Sequence, residues 1–138
     1  MAAVDVQPIV LQDMVIQIGS DDFAAAVSSA VITPAGSIVT WKGLKPDSVH
    51  SFPVAPTFTL DLEYAQDWAG TTSLSRYLWD HQGEVIEGVV LEPQSGAGTR
   101  WTFDMIVATG AVGGAVDTVG TASVSLGISG KPVPSAIV

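Results

Sequence analysis

The sequence feature that most limits the possible folds is a strict alternation of apolar and polar residues over Thr57–Tyr64. Every even-numbered residue of this segment is apolar, and every odd-numbered residue is polar or charged. Because successive side chains of a β-strand point to opposite faces, this pattern predicts a strand with one buried and one solvated face. The same alternation recurs in Arg100–Val107, where Ile106 interrupts the polar side, and in Thr121–Ile128.

Four further segments have weaker strand character, and they are Ile9–Ile18, Val31–Thr33, Ser37–Trp41 and Val85–Leu91. We expect Pro34–Gly36 to form a turn between the second and third of these segments.

One segment has helical spacing instead, and it is predicted to form a helix over about residues 73–82. Its apolar side consists of Leu74, Tyr77, Leu78 and His81, at positions i, i+3, i+4 and i+7. The candidate N-caps are Thr71, Thr72 and Ser73, and Gly83 is a natural stop. We expect Leu74, Tyr77 and Leu78 to form the packing face of this helix.

The order of elements is strands, one helix, then strands, which indicates a mainly β fold. We predict a β-sandwich or barrel of two antiparallel sheets with one flanking α-helix, in a single domain spanning residues 1–138. The terminal segments Met1–Pro8 and Lys131–Val138 contain prolines and show no periodicity, so we expect extended arms. The chain has no cysteine, which excludes disulfides and thiolate metal sites.

The low content of charge points to a protein that functions in an assembly. Charged residues make up 14% of the chain, against about 25% in an ordinary globular domain. A soluble chain of this kind is expected to bury part of its surface against partners. The net charge of −9 argues against affinity for nucleic-acid phosphates. The longest uncharged stretch, Phe23–Trp41, is too rich in Ser, Thr, Gly and Pro for a membrane-spanning helix, so no membrane partner is expected.

No residue pattern predicts a catalytic site, a metal site or a cofactor. The two histidines lie 31 positions apart and outside any metal-binding motif. We interpret His81 as a packing or capping residue and His50 as a solvated residue of a polar loop. Asp61 and Glu63 share one strand face and could act as a glycosidase pair, but a solvated polar face is the favoured interpretation.

The order of elements and several segments resemble the major tail tube proteins of long-tailed, siphovirus-like bacteriophages. The resemblance covers most of the chain and rests on Thr57–Trp68, the helix Ser73–Gln82, Glu84–Pro93, Gly120–Leu126 and Gly130–Val133. It implies a structural virion protein rather than an enzyme, made in the host cytoplasm. Hexameric rings of such subunits stack into a hollow tail tube through which the genome is ejected.

The resemblance also implies partners and contacts. Tape measure, tail terminator and distal tail proteins would bind the tube, and DNA would pass through the lumen without specific binding. In that family an early loop and the terminal arms make ring-to-ring contacts, and the matching loop here is Gly19–Gly36. Within it, the apolar residues that we expect at an inter-ring or inter-subunit contact are Phe23, Val27, Val31 and Ile32.

The polar side of the alternating strands is expected to face the lumen. The candidate residues are Asp61, Glu63 and Asp104, with Arg100 as a partner in an interstrand ion pair. Two other functions stay open at this point. One is another virion assembly protein, such as a capsid decoration protein or a head–tail connector. The other is a carbohydrate-binding β-sandwich that stacks a sugar on Trp68 or Trp79.

Overall fold

The computed structural model describes residues 2–94, 96 and 98–137, and within these ranges it contains nine strands and one α-helix. In chain order they are β1 (Val15–Ile18), β2 (Asp21–Asp22), β3 (Val27–Ala35), β4 (Ile38–Lys42), β5 (Val49–Pro53), β6 (Thr57–Ala65), α1 (Leu74–Asp80), β7 (Val85–Glu92), β8 (Thr99–Ile106) and β9 (Thr121–Ala136). Seven strands form an antiparallel sheet in the order β2-β1-β7-β8-β9-β6-β3, and β4 pairs only with β5.

The seven-stranded sheet curls until its two edges come close together. A 3₁₀ turn at Ala24–Ala26 leads from β2 on one edge to β3 on the other. The backbone N–H of Phe23 donates to the carbonyl of Ile16, which holds this turn against β1. The mainly β fold with one helix, an antiparallel curled sheet and a second small sheet confirms the predicted fold class.

One parity of the alternating strands forms the core. Leu60, Leu62 and Tyr64 of β6 are at most 2% exposed, and they lie beside buried residues of β8 and β9. Leu74 and Leu78 of α1 join the same apolar cluster, while Tyr77 is half-buried against it. Ser73 caps the helix, since its side chain accepts the N–H of Arg76. The helix is shorter than expected. It ends at Asp80 because the backbone of His81 is no longer helical.

Two segments differ from their sequence-based interpretation because prolines are tolerated at strand edges. Pro34 does not form a turn: it continues β3 and pairs with Phe58 of β6. The predicted arm after Lys131 is wrong as well, since β9 continues to Ala136 beside β8. Among the described residues, β3 pairs only with β6, and β9 beyond Ile128 pairs only with β8, so a missing N–H on the free side breaks no ladder bond. Val138 lies outside the described residues.

The N-terminal segment is simpler than expected. Residues 2–14 contain no strand, and those up to Asp13 are exposed. The predicted strand Ile9–Ile18 is therefore reduced to β1, Val15–Ile18. Met1 lies outside the described residues.

The small second sheet is a hairpin that projects from the body of the protein. All residues of β4 and β5 are exposed, and the two strands pair from Ile38↔Pro53 to Lys42↔Val49. His50 is not a loop residue, because it belongs to β5 and its ring lies 5.9 Å from that of Trp41. An isolated two-stranded hairpin is marginally stable in water. The structure thus contains an apolar element without a core of its own.

Replacing Leu78 tests the packing of the helix. Leu78 is 0% exposed, so Leu78→Ala should lower the free energy of unfolding by about 2–5 kcal/mol through lost burial and a residual cavity. The matched control is Arg76→Ala on the exposed side of the helix, which removes only a solvent-exposed ion pair to Asp80. Urea denaturation measures both changes, and a loss below about 0.5 kcal/mol for Leu78→Ala would contradict this packing.

Candidate functional site

The face of the sheet opposite the core carries a cluster of hydroxyl and carboxyl groups. Asp61 of β6 stands at its centre between two neighbouring strands. The hydroxyl of Ser125 in β9 donates to Oδ1 at 2.7 Å, and that of Thr33 in β3 donates to Oδ2 at 2.8 Å. These two hydrogen bonds, with Ser125 the larger effect, lower the pKa of Asp61 from its ordinary value. The carboxylate is thus held in one orientation and kept ionised to lower pH.

Glu63 lies on the same face, two residues beyond Asp61 along β6. It is exposed, and with Asp61 it lines a shallow depression of about 420 Å³. Ser29, Ser123 and Ser125 form most of the remaining polar rim. The depression is polar and carries two carboxylates.

Arg100 and Asp104 lie on the same outward face of the sheet, on β8. In the sheet, β9 separates β8 from β6. Arg100 forms an interstrand ion pair, but its partner is Glu92 of β7, whose Oε1 lies 2.7 Å from Nε. The expected interstrand ion pair of Arg100 is therefore present, but its partner is not one of the predicted lumen-facing carboxylates. The register explains the difference, because Leu91↔Trp101 pairing puts Glu92 beside Arg100.

Asp104 instead stabilises an irregularity in the neighbouring strand. Its Oδ1 accepts the backbone N–H of Gly88 at 3.3 Å. Gly88 has φ of +71°, and the register of β7 against β8 shifts at this position. Glycine adopts this left-handed conformation at little cost, and the bulge frees one N–H from the ladder. Asp104 therefore has a structural partner in addition to its outward position.

Most of the residues predicted to form an inter-ring contact pack in or against the core of the same chain. Phe23 is only 7% exposed, and its ring lies 5.6 Å from that of Tyr77. Val27 and Ile32 are half-buried against the core. Among the four predicted residues only Val31 is exposed. Phe23 is therefore excluded as a surface contact residue, because the 3₁₀ turn folds it inward.

The exposed apolar surface that sequence reasoning missed is the β4–β5 hairpin. Val39 pairs with Phe52 and Trp41 pairs with His50, so one face of the hairpin is apolar and aromatic. Leu44 at the tip is fully exposed. The alternation of Phe52 and His50 opposite Val39 and Trp41 is the signal that indicates this hairpin, but the intervening Gly–Leu–Lys–Pro–Asp–Ser segment resembles a plain loop.

A groove begins where the two edges of the curled sheet meet and continues past residues of β6, β8 and β9, and we call it the seam groove. One part, of about 530 Å³, is mainly apolar and is lined by Phe58, Trp101 and Pro34, among others. The adjoining part, of about 430 Å³, is more polar and includes Asp13 and Asp22. Both parts share Leu11, Met14, Ala30 and Leu91.

An extended loop of residues 107–120 lies at one end of the sheet and is held in place by Gln66. The side chain of Gln66 donates to the carbonyls of Gly113 and Thr121 and accepts the N–H of Gly113. A side chain at Gly110 would collide with the hydroxyl of Tyr64, so the loop can approach the core only as glycine there. The loop is therefore fixed although most of it is exposed.

The aromatic residues beside the helix pack mainly on one another. Trp68 and Trp79 meet edge to face with ring centres 6.2 Å apart, and the indole N–H of Trp68 donates to Gln66. His81 stacks on Tyr77 at 4.3 Å and bonds to Glu84. Burial raises the pKa of Tyr77, and the nearby carboxylates of Glu84 and Asp21 raise it further.

The described residues contain no group of three or more His, Cys, Asp or Glu side chains placed to hold a metal ion. No helix in the described part of the chain is long and apolar enough to cross a membrane. The outward sheet face presents carboxylate and hydroxyl groups to solvent. The hairpin and the apolar part of the seam groove expose apolar side chains.

No protein-family model matches the sequence, and no curated protein matches it either. The fold is similar to that of a chain in the virion of a native gene transfer agent particle, with a TM-score of 0.65 at 13% identity. That likeness covers 90% of this chain and 96% of the other. A chain in the tail of an empty gene transfer agent particle, determined by helical refinement with C6 symmetry, is similar with a TM-score of 0.62 at 11% identity, covering 89% of this chain and 96% of that one.

Removing the hydroxyl of Ser125 tests whether its hydrogen bond lowers the pKa of Asp61. Ser125→Ala deletes the hydrogen bond that lowers the pKa of Asp61 most, so an NMR titration should show that pKa rising towards its ordinary value. A carboxyl with a depressed folded-state pKa stabilises the protein above its unfolded pKa, and this stabilisation disappears as pH falls through the folded pKa. The wild-type protein should therefore have a higher free energy of unfolding than Ser125→Ala at neutral pH, and this difference should vanish at strongly acidic pH.

The control for this measurement is Ser123→Ala, on the same face and strand but opposite Glu63 rather than Asp61. It should leave the pKa of Asp61 unchanged. An unchanged pKa in Ser125→Ala would show that the hydroxyl does not stabilise the ionised carboxylate.

Proposed function

We propose that this protein is a structural subunit of a phage-type tail tube, in which hexameric rings stack around a channel for DNA. The observation that carries the proposal is the fold likeness to chains of a gene transfer agent virion and tail, which covers nearly the whole of both chains. The C6 symmetry of that tail supports a hexameric ring here. The tube would belong to a virion, and tape measure, terminator and distal tail proteins would be its partners.

In this assembly the polar outward face of the curled sheet lines the channel. Asp61, Glu63 and Asp104 would present carboxylates to the lumen, and Arg100 would stay paired with Glu92. The hydroxyls of Thr33 and Ser125, which donate to the carboxylate of Asp61, hold it in place and keep it ionised. With a net charge of −9 per copy, the wall would repel phosphates over a Debye length of about 8 Å at physiological salt. DNA would therefore slide without adhering.

Contacts between copies would use the hairpin rather than the segment around Phe23. The hairpin projects apolar side chains that its own chain leaves uncovered, and such a surface is typical of an interaction site. The sheet also ends in two different edges, β2 beside β1 and β3. A contact between unlike surfaces repeats from copy to copy, which a stacked tube requires.

The alternative virion functions, a decoration protein or a connector, would use the same exposed surfaces in a different symmetry. A carbohydrate-binding role is less supported, because Trp68 and Trp79 face one another edge to face rather than offering one flat platform. Electron microscopy separates these possibilities, since only the tail tube function predicts stacked six-fold rings.

The proposed function predicts that the purified protein forms tubes with six-fold symmetry, visible by electron microscopy. Trp41→Ser with Phe52→Ser should leave the melting temperature nearly unchanged, because both side chains are exposed, yet should prevent tube formation. The matched control is Val112→Ser with Val116→Ser on the exposed 107–120 loop, which should still assemble. In a reconstruction of the tubes, Asp61 and Glu63 should face the channel.

Three results would count against this proposal. Assembly into trimers or pentamers would favour a decoration protein or connector. Full-length tubes from the Trp41→Ser, Phe52→Ser variant would exclude the hairpin as a stacking element. A reconstruction with Asp61 and Glu63 on the outer wall would reverse the proposed orientation of the sheet.

A further inference from the structure

The N-terminal segment of the chain is apolar although it lies in solvent. Residues 2–12 contain a single charged residue, Asp5. The large aliphatic side chains before Leu11 are all exposed, and they are Val4, Val6, Ile9 and Val10. A tail that stays extended in water is usually low in hydrophobicity. The composition of this segment therefore favours a second conformation in which its aliphatic side chains are covered.

The segment leads directly into the apolar part of the seam groove, because Leu11 and Met14 line that part. The floor of this part is formed by side chains that pack against the core while staying partly exposed, among them Ile32, Phe58 and Trp101. Its volume of about 530 Å³ is large enough for several aliphatic side chains. An uncovered apolar segment is thus joined to an uncovered apolar groove of the same chain.

Residues 4–10, which we call the strap, are long enough to cross this groove. Seven extended residues span about 23 Å at 3.3 Å per residue. The groove is lined from β3 to β8, which are three strand spacings apart in the sheet, or about 14 Å at 4.8 Å each. A strap that starts at Leu11 can therefore reach Trp101 on β8.

The two faces of the strap match the floor and the rim of the groove. Val4 and Val6 alternate with Asp5 and Gln7, so an extended strap has one apolar and one polar face. When the valines face the floor, Asp5 faces the rim. Lys131 is the only charged residue among the described residues that line the apolar part, and it is exposed. Opposite charges thus favour the orientation that burial of the valines requires.

We propose that the strap closes over the apolar part of the seam groove of its own chain in the isolated subunit. The exposed position of residues 4–10 is then the open state of this strap. Closing is reversible, because ordering the strap costs free energy comparable to the gain from burying a few aliphatic side chains. The closed strap covers apolar surface through which free subunits would otherwise associate non-specifically. The inference concerns a single copy and does not require the tail tube function.

A thiol-labelling experiment tests which face of the strap is covered. The chain has no cysteine, so Val6→Cys introduces a single thiol on the groove face, and the matched control Gln7→Cys introduces one on the outer face. Both positions are exposed in the open state. An uncharged maleimide should modify Val6→Cys on the order of tenfold more slowly than Gln7→Cys, because the closed strap shields only position 6. The ratio should be the same at every dilution of the protein.

Amide chemical shifts locate the surface that the strap covers. The strap variant carries three serine substitutions, Val4→Ser, Val6→Ser and Ile9→Ser. Its control also gains three serines but loses no large aliphatic side chain, through Ala2→Ser, Ala3→Ser and Gln7→Ser. Circular dichroism verifies the fold of both variants. Relative to the wild-type protein, the strap variant should shift the amides of Ile32, Phe58 and Trp101, and the control should leave them in place.

The inference would be overturned if the two thiols react equally fast, or if the strap variant leaves these groove amides unshifted. It would also be overturned if the protection of position 6 disappears on dilution, because the segment would then lie against a second copy. None of these results affects the tail tube function, which electron microscopy tests separately.

Discussion

Burial of one side of a curled antiparallel sheet is the constraint on which the rest of the structure depends. Leu60, Leu62 and Tyr64 of β6 are buried in the core on the inner face of the sheet. Because successive side chains of a strand alternate between faces, the odd residues of β6 must point outward. The helix closes the same core through Leu74 and Leu78. The outward position of Asp61 and Glu63 is therefore a direct consequence of core formation.

The alternation of the strongest strands made most of this fold predictable, because a period of two needs no knowledge of the neighbouring strands. The misplaced parts depended on those neighbours. Pro34 and the prolines after Lys131 look like breaks in a sequence, yet they lie in strands with a free side. A sequence does not show which side of a strand lacks a partner, so the turn at Pro34–Gly36 and the C-terminal arm were wrong.

The candidate site was predictable in its polar half and not in its apolar half. The positions of Asp61 and Glu63 follow from strand parity, whereas the pairing of Arg100 with Glu92 depends on the register between β7 and β8. The segment around Phe23 was interpreted as surface because it has no clean period, but a 3₁₀ turn buries that ring. The first strand of the hairpin matches the expected strand Ser37–Trp41, but β5 was not predicted, because a short strand that gains no burial within its own chain has no alternation of buried and exposed residues to mark it.

The molecule therefore consists of a body whose core is complete and a hairpin that, under the proposed function, a partner covers. Hydrogen exchange measured on the isolated subunit and on the assembled protein tests this division directly. Amides of residues 38–53 should exchange rapidly in the subunit and become strongly protected in the assembly, while those of β6 should be protected in both. Equal protection of residues 38–53 in the two states would contradict the account, since the hairpin would then be stable without a partner.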